Sequence, residues 1–349
     1  MRTKFMQLPR AVLVGKGTLA RSNEICRDLG LEGRVLIVSG PKTYKIAGER
    51  LYDILEKEHD IEVAMVKEGS LREVEDVKKT VQKKDIKVLV GVGGGRVIDT
   101  AKLASKETER EFLSVPTAAS HDGIASSRAS LKRDGNAVSI QARAPLGVIA
   151  DTEIIRKAPY RLIASGCGDI ISKFTAVKDW ELAHRVKGEE ISEYACALSL
   201  MTAKMIMDSK DLIKKGREES VRKVVKALIS SGVAMSIAGS SRPGSGSEHK
   251  FSHALNMIAP SPALHGEQCG VGSIMMMYLH EDGWRDIRDA LKKIGAPTNT
   301  GGLGVKEEHI TEALTNAHQI RPERYTVLDG VAMSREKAKS IAKATGVIK

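Results

Sequence analysis

The sequence predicts two successive halves of different class, an α/β half with a mostly parallel, Rossmann-like sheet and then an all-α half. Three observations carry this prediction. Short β-branched runs alternate with amphipathic stretches up to about residue 150, which favours a parallel sheet covered by helices. One of these runs ends in a glycine-rich segment. Beyond residue 151 strands disappear and long helical periodicities follow. We therefore expect an α/β domain over residues 1–150 and a helical domain over residues 151–349.

The elements of the first half follow from β-branched runs and amphipathic spacing. Strands are predicted at Ala11–Val14, Val35–Val38, Ile61–Val66, Val88–Val92 and Phe112–Val115. Helices are predicted at Thr18–Leu29, Thr43–Glu56, Leu71–Lys83 and Val97–Lys106. Residues 127–149 break the alternation: a turn at Arg133–Asn136 predicts a hairpin, and Leu146–Ala150 reads as one further strand. We expect this region to form an antiparallel addition at the edge of the sheet.

The second half shows helical periodicity almost throughout. Helices are predicted at Tyr160–Arg185, Ile191–Asp208, Glu218–Ala238, Ser247–Ile258, Gly266–His280 and Trp284–Ile294. A Gly/Ser/Pro loop, Arg242–Ser247, precedes the fourth of them, and Ser247 is expected to cap that helix.

Composition narrows the class of protein. The 349 residues carry a formal charge of +11, which favours an anionic partner. Aromatic residues make up only 3% and basic residues are mixed with acidic ones, so we expect no nucleic-acid binding. No apolar run is long enough to span a membrane and no secretory signal is evident, so we expect a cytoplasmic protein without an integral membrane segment. Four widely spaced cysteines are expected to be reduced.

The glycine-rich segment Gly91–Gly95 follows an apolar strand and opens a helix. Backbone amides at such a helix start can hold a pyrophosphate, so this half is predicted to bind a nucleotide. The segment follows the fourth strand, whereas the ordinary dinucleotide fold places it after the first. The candidate ribose position, Ile37–Lys42, has no carboxylate and includes Lys42. We therefore expect NADP(H) to be accepted, alongside NAD(H).

Four residues of the second half are candidates for a metal site. His249 and His253 lie four apart on one helical face, His265 follows twelve residues later, and Asp169 ends the small-residue run Gly166–Asp169. Such histidines can equally be surface or core residues. Three ligands of the Asp/His/His type would suit Zn²⁺ and leave a fourth position open. The loop Pro116–Ser127 is rich in hydroxyl groups. Its residues either only form turns or bind the cofactor and the substrate.

These motifs in this order resemble the archaeal sn-glycerol-1-phosphate dehydrogenase family. The resemblance is carried by Gly93–Asp99, Pro116–Gly123, Gly166–Asp169, His249-x-x-x-His253 and His265–Glu267. It extends from Pro9 to Leu328. That family is a branch of the superfamily of glycerol dehydrogenase, iron-containing alcohol dehydrogenases and dehydroquinate synthase, and so implies a dehydroquinate synthase-like fold with the active site in the cleft between the two domains.

The resemblance also implies residue roles. Asp169, His249 and His265 would bind Zn²⁺, and Asp122, Asp169 and His253 would face the substrate, with Asp122 and His253 in catalytic roles. The nicotinamide cofactor would contact Gly93, Gly94, Gly95, Arg96, Val97, Ile98, Asp99, Thr117, Ala118, Ala119, Ser120 and Ser126. The implied reaction is reversible reduction of dihydroxyacetone phosphate by NAD(P)H to sn-glycerol 1-phosphate for ether-lipid synthesis. We also expect a homo-oligomer.

Three alternatives stay open at this stage. A glycerol or polyol dehydrogenase acting on an unphosphorylated substrate would use the same kind of metal site and the same kind of cofactor site. A phosphate pocket would decide between the two, with Arg321 or Arg324 as candidate contributors. Dehydroquinate synthase chemistry would consume no NAD(P)H, and a basic nucleic-acid-binding protein is the non-enzyme alternative.

Overall fold

The computed structural model describes residues 6–133, 136–261 and 263–349. Within these residues, six parallel strands form one sheet. They are β1 (Ala11–Gly15), β2 (Val35–Ser39), β3 (Ile61–Met65), β4 (Val88–Gly93), β5 (Glu111–Pro116) and β8 (Gly147–Asp151). Their spatial order is β1-β8-β5-β4-β2-β3. The predicted parallel α/β sheet is confirmed.

Helices cover both faces of this sheet. They are α1 (Ser22–Asp28), α2 (Pro41–Thr43), α3 (Glu49–Leu55), α4 (Leu71–Lys83), α5 (Gly95–Glu107) and α6 (Thr152–Arg156). Short 3-10 and π turns, Thr18–Arg21 and Tyr44–Gly48, start two of the predicted helices. Leu51 and Leu55 of α3 belong to one buried cluster, and Val97 and Ile98 of α5 to another. The helices that follow β2 and β4 therefore pack in separate cores.

The prediction for residues 127–149 is partly wrong. Strands β6 (Arg128–Arg133) and β7 (Asn136–Gln141) do pair as an antiparallel hairpin, but they form a separate two-stranded sheet. Two residues of the predicted turn, 134 and 135, lie outside the described part of the chain. The further strand, β8, runs parallel between β1 and β5 in the middle of the sheet. Every residue of β8 is buried, and a strand covered on both faces belongs inside a parallel sheet.

The second half is helical, as predicted. Its helices are α7 (Tyr160–Ile171), α8 (Lys173–Lys187), α9 (Glu193–Asp208), α10 (Glu218–Ala238), α11 (Ser247–Ile258), α12 (His265–Leu279), α13 (Trp284–Ile294), α14 (Thr300–Leu303), α15 (Glu307–Asn316) and α16 (Arg335–Ala344). The first predicted helix is in fact two, separated at Ser172, and the last three helices are absent from the sequence prediction. Ser247 is the first residue of α11 rather than its cap.

The chain divides into two compact units. The first comprises residues up to Tyr160 together with Gly216–Ser236, and the second comprises Arg161–Lys215 and Ile237–Lys349. Most of α10 thus belongs to the first unit, whereas the sequence analysis placed it in the helical half. A Cβ on Gly232 would lie 2.8 Å from the backbone of Ala125, so this part of α10 packs directly on a loop of the first unit. None of the helices described is both long and apolar enough to cross a membrane.

Candidate functional site

The glycine-rich turn between β4 and α5 exposes the start of a helix. Gly94, which has no side chain to serve as a cap, is the N-cap of α5, and no described side chain accepts a hydrogen bond from the first amides of that helix. A Cβ on Gly93 would lie 2.8 Å from Val97, and a Cβ on Gly95 would lie 2.0 Å from His121 Nε2. A Cβ on Gly94 would meet nothing within 4 Å. Packing within the chain therefore requires glycine at positions 93 and 95, whereas Gly94 leaves the backbone accessible to a ligand.

The sheet topology favours the same place for a nucleotide. Strands β2 and β4 are neighbours, yet the chain after β2 leads to β3 on one side and the chain after β4 leads to β5 on the other. Ligands of open parallel sheets bind at such a switch point, beyond the carboxyl ends of the strands. Strand β4 ends there in the glycine turn, and β2 ends in Ser39, followed by Gly40 and the exposed Lys42. No carboxylate closes β2.

Asp99 and Lys102 form a buried pair on α5. Lys102 Nζ donates to Asp99 Oδ1 at 2.9 Å and to the carbonyl oxygens of Gly123 at 2.6 Å and Arg128 at 2.7 Å. The other oxygen of Asp99 accepts the amide of Ser130 at 2.9 Å. Asp99, predicted to contact the cofactor, thus uses both carboxylate oxygens inside the protein. The pair ties α5 to the loop after β5 and to the hairpin.

The loop after β5 carries the other predicted cofactor and substrate residues. Its first amide, on Thr117, donates to the carbonyl of Gly93 at 2.9 Å, so the loop begins against the glycine turn. Ala118, Ala119 and Ser126 are buried. Asp122 opens a short 3-10 helix, and its Oδ2 accepts the hydroxyl of Ser231 at 2.8 Å. The structure therefore brings this loop and the glycine turn into one cluster, as the resemblance implies for cofactor contacts.

Three of the four metal candidates come together in the second unit. Asp169 of α7, His249 of α11 and His265 of α12 offer donor atoms that lie, together with the thiol of Cys269, within 4.8 Å of one another. The two imidazole Nε2 atoms are 3.1 Å apart. His253, the fourth candidate, does not belong to this group. The role other than metal binding that the resemblance implies for His253 stays a prediction.

Small residues allow the three helices to approach closely enough. A Cβ on Gly168 would lie 2.3 Å from the carbonyl oxygen of Gly266, and one on Gly266 would lie 1.9 Å from the carbonyl oxygen of Ser165. Helices α7 and α12 therefore touch backbone to backbone, which sets Asp169 beside His265. Gly272 gives α12 a similar contact with α11, since its Cβ would lie 3.1 Å from the carbonyl of Glu248.

A buried carboxylate fixes the start of two of the three ligand helices, α12 and α11. Glu267 accepts the amide of Leu264 at 3.0 Å and two hydrogen bonds from Arg161, at 2.6 and 2.7 Å. Asp179 of α8 accepts both the amide and the hydroxyl of Ser247 at 2.6 Å, and thereby caps α11. A carboxylate at a helix start is stabilising because it pairs with the free amides there.

The imidazole of His249 favours its neutral form. Burial is the main cause that lowers the pKa of His249 well below its usual value, and electrostatic interactions with His265, Lys173, His253 and Arg321 lower it further. A neutral ring keeps the lone pair that a metal requires. Lys173, itself fully buried, donates to Asp169 Oδ1 at 2.9 Å and so holds this side chain in place. An aspartate and two histidines are ligand types that fit a divalent transition metal.

Glu248 orients one of these rings. Its side chain is fully buried, and its Oε1 lies 2.6 Å from His249 Nδ1 and accepts the amide of Gly246 at 2.8 Å. This contact leaves Nε2 directed toward the group of donors. Burial, followed by the negative charge of Asp179, raises the pKa of Glu248 to about 8. The arrangement is that of a carboxylate behind a metal-binding histidine.

Full-length relatives decide the family. The chain is 56% identical over 349 residues, covering 100% of both chains, to "Glycerol-1-phosphate dehydrogenase [NAD(P)+]" of Methanothermobacter thermautotrophicus. It is 57% identical over 346 residues to the protein of that name from Methanosarcina mazei, covering 99% of this chain and 97% of the relative. The chain belongs to the glycerol-1-phosphate dehydrogenase family.

More distant comparisons agree on the fold of this glycerol-1-phosphate dehydrogenase family member. Residues 13–159 match the model of the iron-containing alcohol dehydrogenase family. The structure resembles glycerol dehydrogenase from Schizosaccharomyces pombe, with a TM-score of 0.82, 19% identity and coverage of 99% of this chain and 91% of that one. It also resembles a probable glycerol dehydrogenase from Sinorhizobium meliloti, with a TM-score of 0.80, 20% identity and coverage of 99% and 98%.

The sequence analysis gave no site role to four side chains that lie beside the glycine turn or the metal group of this family member. Cys269 lies one helical turn after His265, and its Sγ is 3.6 Å from His265 Nε2; the spacing could have revealed it. Burial raises the pKa of this thiol well above its usual value. His121, in the loop after β5, lies against Gly95 and accepts a hydrogen bond from the amide of Gly123 at 3.0 Å. Lys173 and Glu248 carry no distinguishing signal in the sequence.

Proposed function

We propose that this chain catalyses the reversible reduction of dihydroxyacetone phosphate to sn-glycerol 1-phosphate with NADPH or NADH, in the service of ether phospholipid synthesis. The observation that carries the proposal is the full-length identity of 56% to an enzyme whose name states this alcohol and NAD(P)+. The net charge of +11 supports it, because the substrate and the cofactor are both anions. An unphosphorylated polyol is the competing substrate.

The metal of this proposal is Zn²⁺, held by Asp169, His249 and His265. Three protein ligands of this type leave a position for substrate, and a bound zinc ion would polarise the substrate carbonyl and stabilise negative charge on its oxygen. Glu248 holds the His249 ring through Nδ1, and Lys173 holds the Asp169 carboxylate. Both contacts fix the ligands before metal binds, which reduces the cost of ordering the site.

The chain's own polar groups would position the substrate. We assign Asp122 to a terminal hydroxyl, with Ser231 holding the carboxylate through Oδ2. His253 lies on the same helix as His249, one turn further along, and is half-buried. Its ring can both donate and accept, so we assign it to a substrate hydroxyl or to proton transfer. Asp169 would contact the substrate in addition to the metal.

The cofactor would lie along the glycine turn and the loop after β5. The uncapped amides of α5 would bind the pyrophosphate, and Gly94 allows close approach of the backbone. Hydride transfer from the bound nicotinamide supplies the reducing equivalent. Since β2 ends without a carboxylate, the 2′-phosphate of NADPH meets no like charge there, and Lys42 follows three residues later.

The cellular setting belongs to the same proposal. We assign the protein to the cytoplasm, where the cofactor and the phosphorylated substrate are found, and we expect a homo-oligomer. Light scattering after gel filtration would measure the oligomeric state.

The deciding experiment follows the loss of NADPH absorbance at 340 nm with dihydroxyacetone phosphate and, in parallel, with dihydroxyacetone. Each assay is repeated after chelation and again after Zn²⁺, Fe²⁺ or Mg²⁺ is restored. The proposal requires zinc-restored turnover with a clear preference for the phosphorylated ketone. Preference for dihydroxyacetone would make the protein a polyol dehydrogenase. Absence of NADPH oxidation at full metal occupancy would refute a dehydrogenase.

A further inference from the structure

Two arginines follow the short helix Ala317–Gln319, and they differ in what they bind. Arg324 donates through Nη1 to the carbonyl oxygen of Ser245 at 2.7 Å and through Nη2 to the hydroxyl of Ser241 at 2.9 Å. These contacts hold the loop that precedes α11. Its guanidinium is therefore used to stabilise the fold.

Arg321 is only partly buried, and its guanidinium makes no hydrogen bond and no ion pair with any residue that the structure describes. Burial lowers the pKa of Arg321, and the charge of Glu323 opposes this effect. A partly buried cation that the described residues leave without a carboxylate partner is free to pair with an anion from outside the protein.

The position of Arg321 points to the metal group. The helix Ala317–Gln319 packs on α11, which carries His249. Burial is the largest cause of the low pKa of His249, and Arg321 is among the positive charges that add to it. Arg321 also keeps a left-handed backbone conformation, with φ at 50°, which few residues other than glycine adopt. The chain thus places a cation on the segment that follows a helix packed against α11, at some conformational cost.

We propose that Arg321 binds the phosphate group of the substrate and selects the phosphorylated ketone over its unphosphorylated counterpart. The inference rests on the proposed function. A guanidinium presents its N–H donors in a planar fork that can contact two phosphate oxygens at once, and its charge persists at any physiological pH. Burial strengthens this contact because little water competes for the phosphate.

The test compares Arg321→Met, Arg321→Lys and the control Arg335→Met in zinc-loaded protein. Arg335 is exposed at the start of α16, so its replacement removes the same charge from the surface of the same unit. For Arg321→Met we expect kcat/KM with dihydroxyacetone phosphate to fall on the order of 10- to 100-fold, as for a lost charged hydrogen bond. Zinc content, KM for NADPH and kcat/KM with dihydroxyacetone should match the control.

Arg321→Lys keeps the charge but not the fork, so its loss should be smaller and should appear in KM for dihydroxyacetone phosphate. If Arg321→Met does not fold, Arg321→Lys provides the test of phosphate binding. An equal loss for both ketones, or a lower zinc content, would show that Arg321 acts on the fold or the metal and would overturn the assignment. Wild-type protein that reduces only dihydroxyacetone would instead refute the proposed function, independently of the Arg321 variants.

Discussion

At the scale of single residues, chemistry depends on what surrounds a side chain rather than on its type. Glu248 directly precedes His249, a proposed metal ligand, and looks in the sequence like any surface glutamate. In the structure it is completely buried, and its pKa rises to about 8 because burial, together with Asp179, disfavours the charged form. Cys269, one helical turn after His265, offers a further donor atom to the metal group.

The contact between Glu248 and His249 predicts an effect on metal affinity. Replacing Glu248 by Met removes the acceptor at His249 Nδ1, so the ring loses its fixed orientation. We expect zinc affinity to fall about 10- to 100-fold. Competition with a chromophoric chelator measures this directly. Glu248→Gln keeps an oxygen acceptor and should retain most of the affinity; equal affinity in Glu248→Met and wild type would contradict the role.

We expect replacement of Asp122 to impair turnover with little change in the free energy of unfolding. In Asp122→Asn the shape of the side chain and a possible contact with Ser231 remain, while the charge that would hold a substrate hydroxyl is lost. We expect kcat/KM for dihydroxyacetone phosphate to fall roughly 10- to 100-fold. The free energy of unfolding should change by less than about 1 kcal/mol. Ser231→Ala, which keeps the carboxylate, should lose less; an unimpaired Asp122→Asn would end the assignment.

At the scale of elements, close contacts between helices decide where functional groups meet. Asp169 and His265 are 96 positions apart in the sequence, and they become neighbours because α7 and α12 touch at Gly168 and Gly266. The glycine turn after β4 serves another purpose, since the backbone at Gly94 stays accessible. We therefore expect replacement of glycine by alanine to have different effects at the helix contact and at the glycine turn.

Gly168→Ala and Gly94→Ala form a matched pair. The added methyl group at Gly168 would collide with the carbonyl of Gly266, so we expect a loss of about 1–3 kcal/mol in unfolding free energy and weaker zinc binding. The methyl group at Gly94 meets no protein atom, and the extended backbone there accepts alanine. Gly94→Ala should therefore fold normally but show a raised KM for NADPH.

Denaturant titration and steady-state kinetics on both variants separate the two effects. A destabilised Gly94→Ala with an ordinary KM for NADPH would contradict the assignment of the glycine turn to the cofactor. Full stability in Gly168→Ala would show that α7 and α12 can move apart without cost.

At the scale of the whole molecule, metal binding should be linked to the stability of the second unit. Trp180 and Trp284, the only tryptophans of the chain, both belong to that unit, so tryptophan fluorescence reports its unfolding. Free zinc at about 100 times its Kd should stabilise the unit by about 2.7 kcal/mol. Chelation should reverse this rise in melting temperature. His249→Ala should show no zinc response, and a zinc response equal to wild type would place the metal elsewhere.

The class of each half, the glycine turn and the candidate metal ligands can all be predicted from the amino-acid sequence alone. Periodicity and β-branched runs are local signals, so the parallel strands and most of the helices could be predicted from neighbouring residues. The His249-x-x-x-His253 spacing and the small residues before Asp169 likewise stand in the sequence. The roles implied for these residues came from the resemblance to a family, not from spacing.

Which of these groups meet depends on how the chain folds in three dimensions. The fold places β8 inside the sheet, assigns most of α10 to the first unit, and separates His253 from the group that contains Asp169. The guanidinium of Arg324 holds a loop of the fold, whereas that of Arg321 has no hydrogen-bond partner among the described residues. Each of these outcomes depends on contacts between segments far apart in the chain. Such contacts are selected by close packing, which produces no periodic pattern in the sequence.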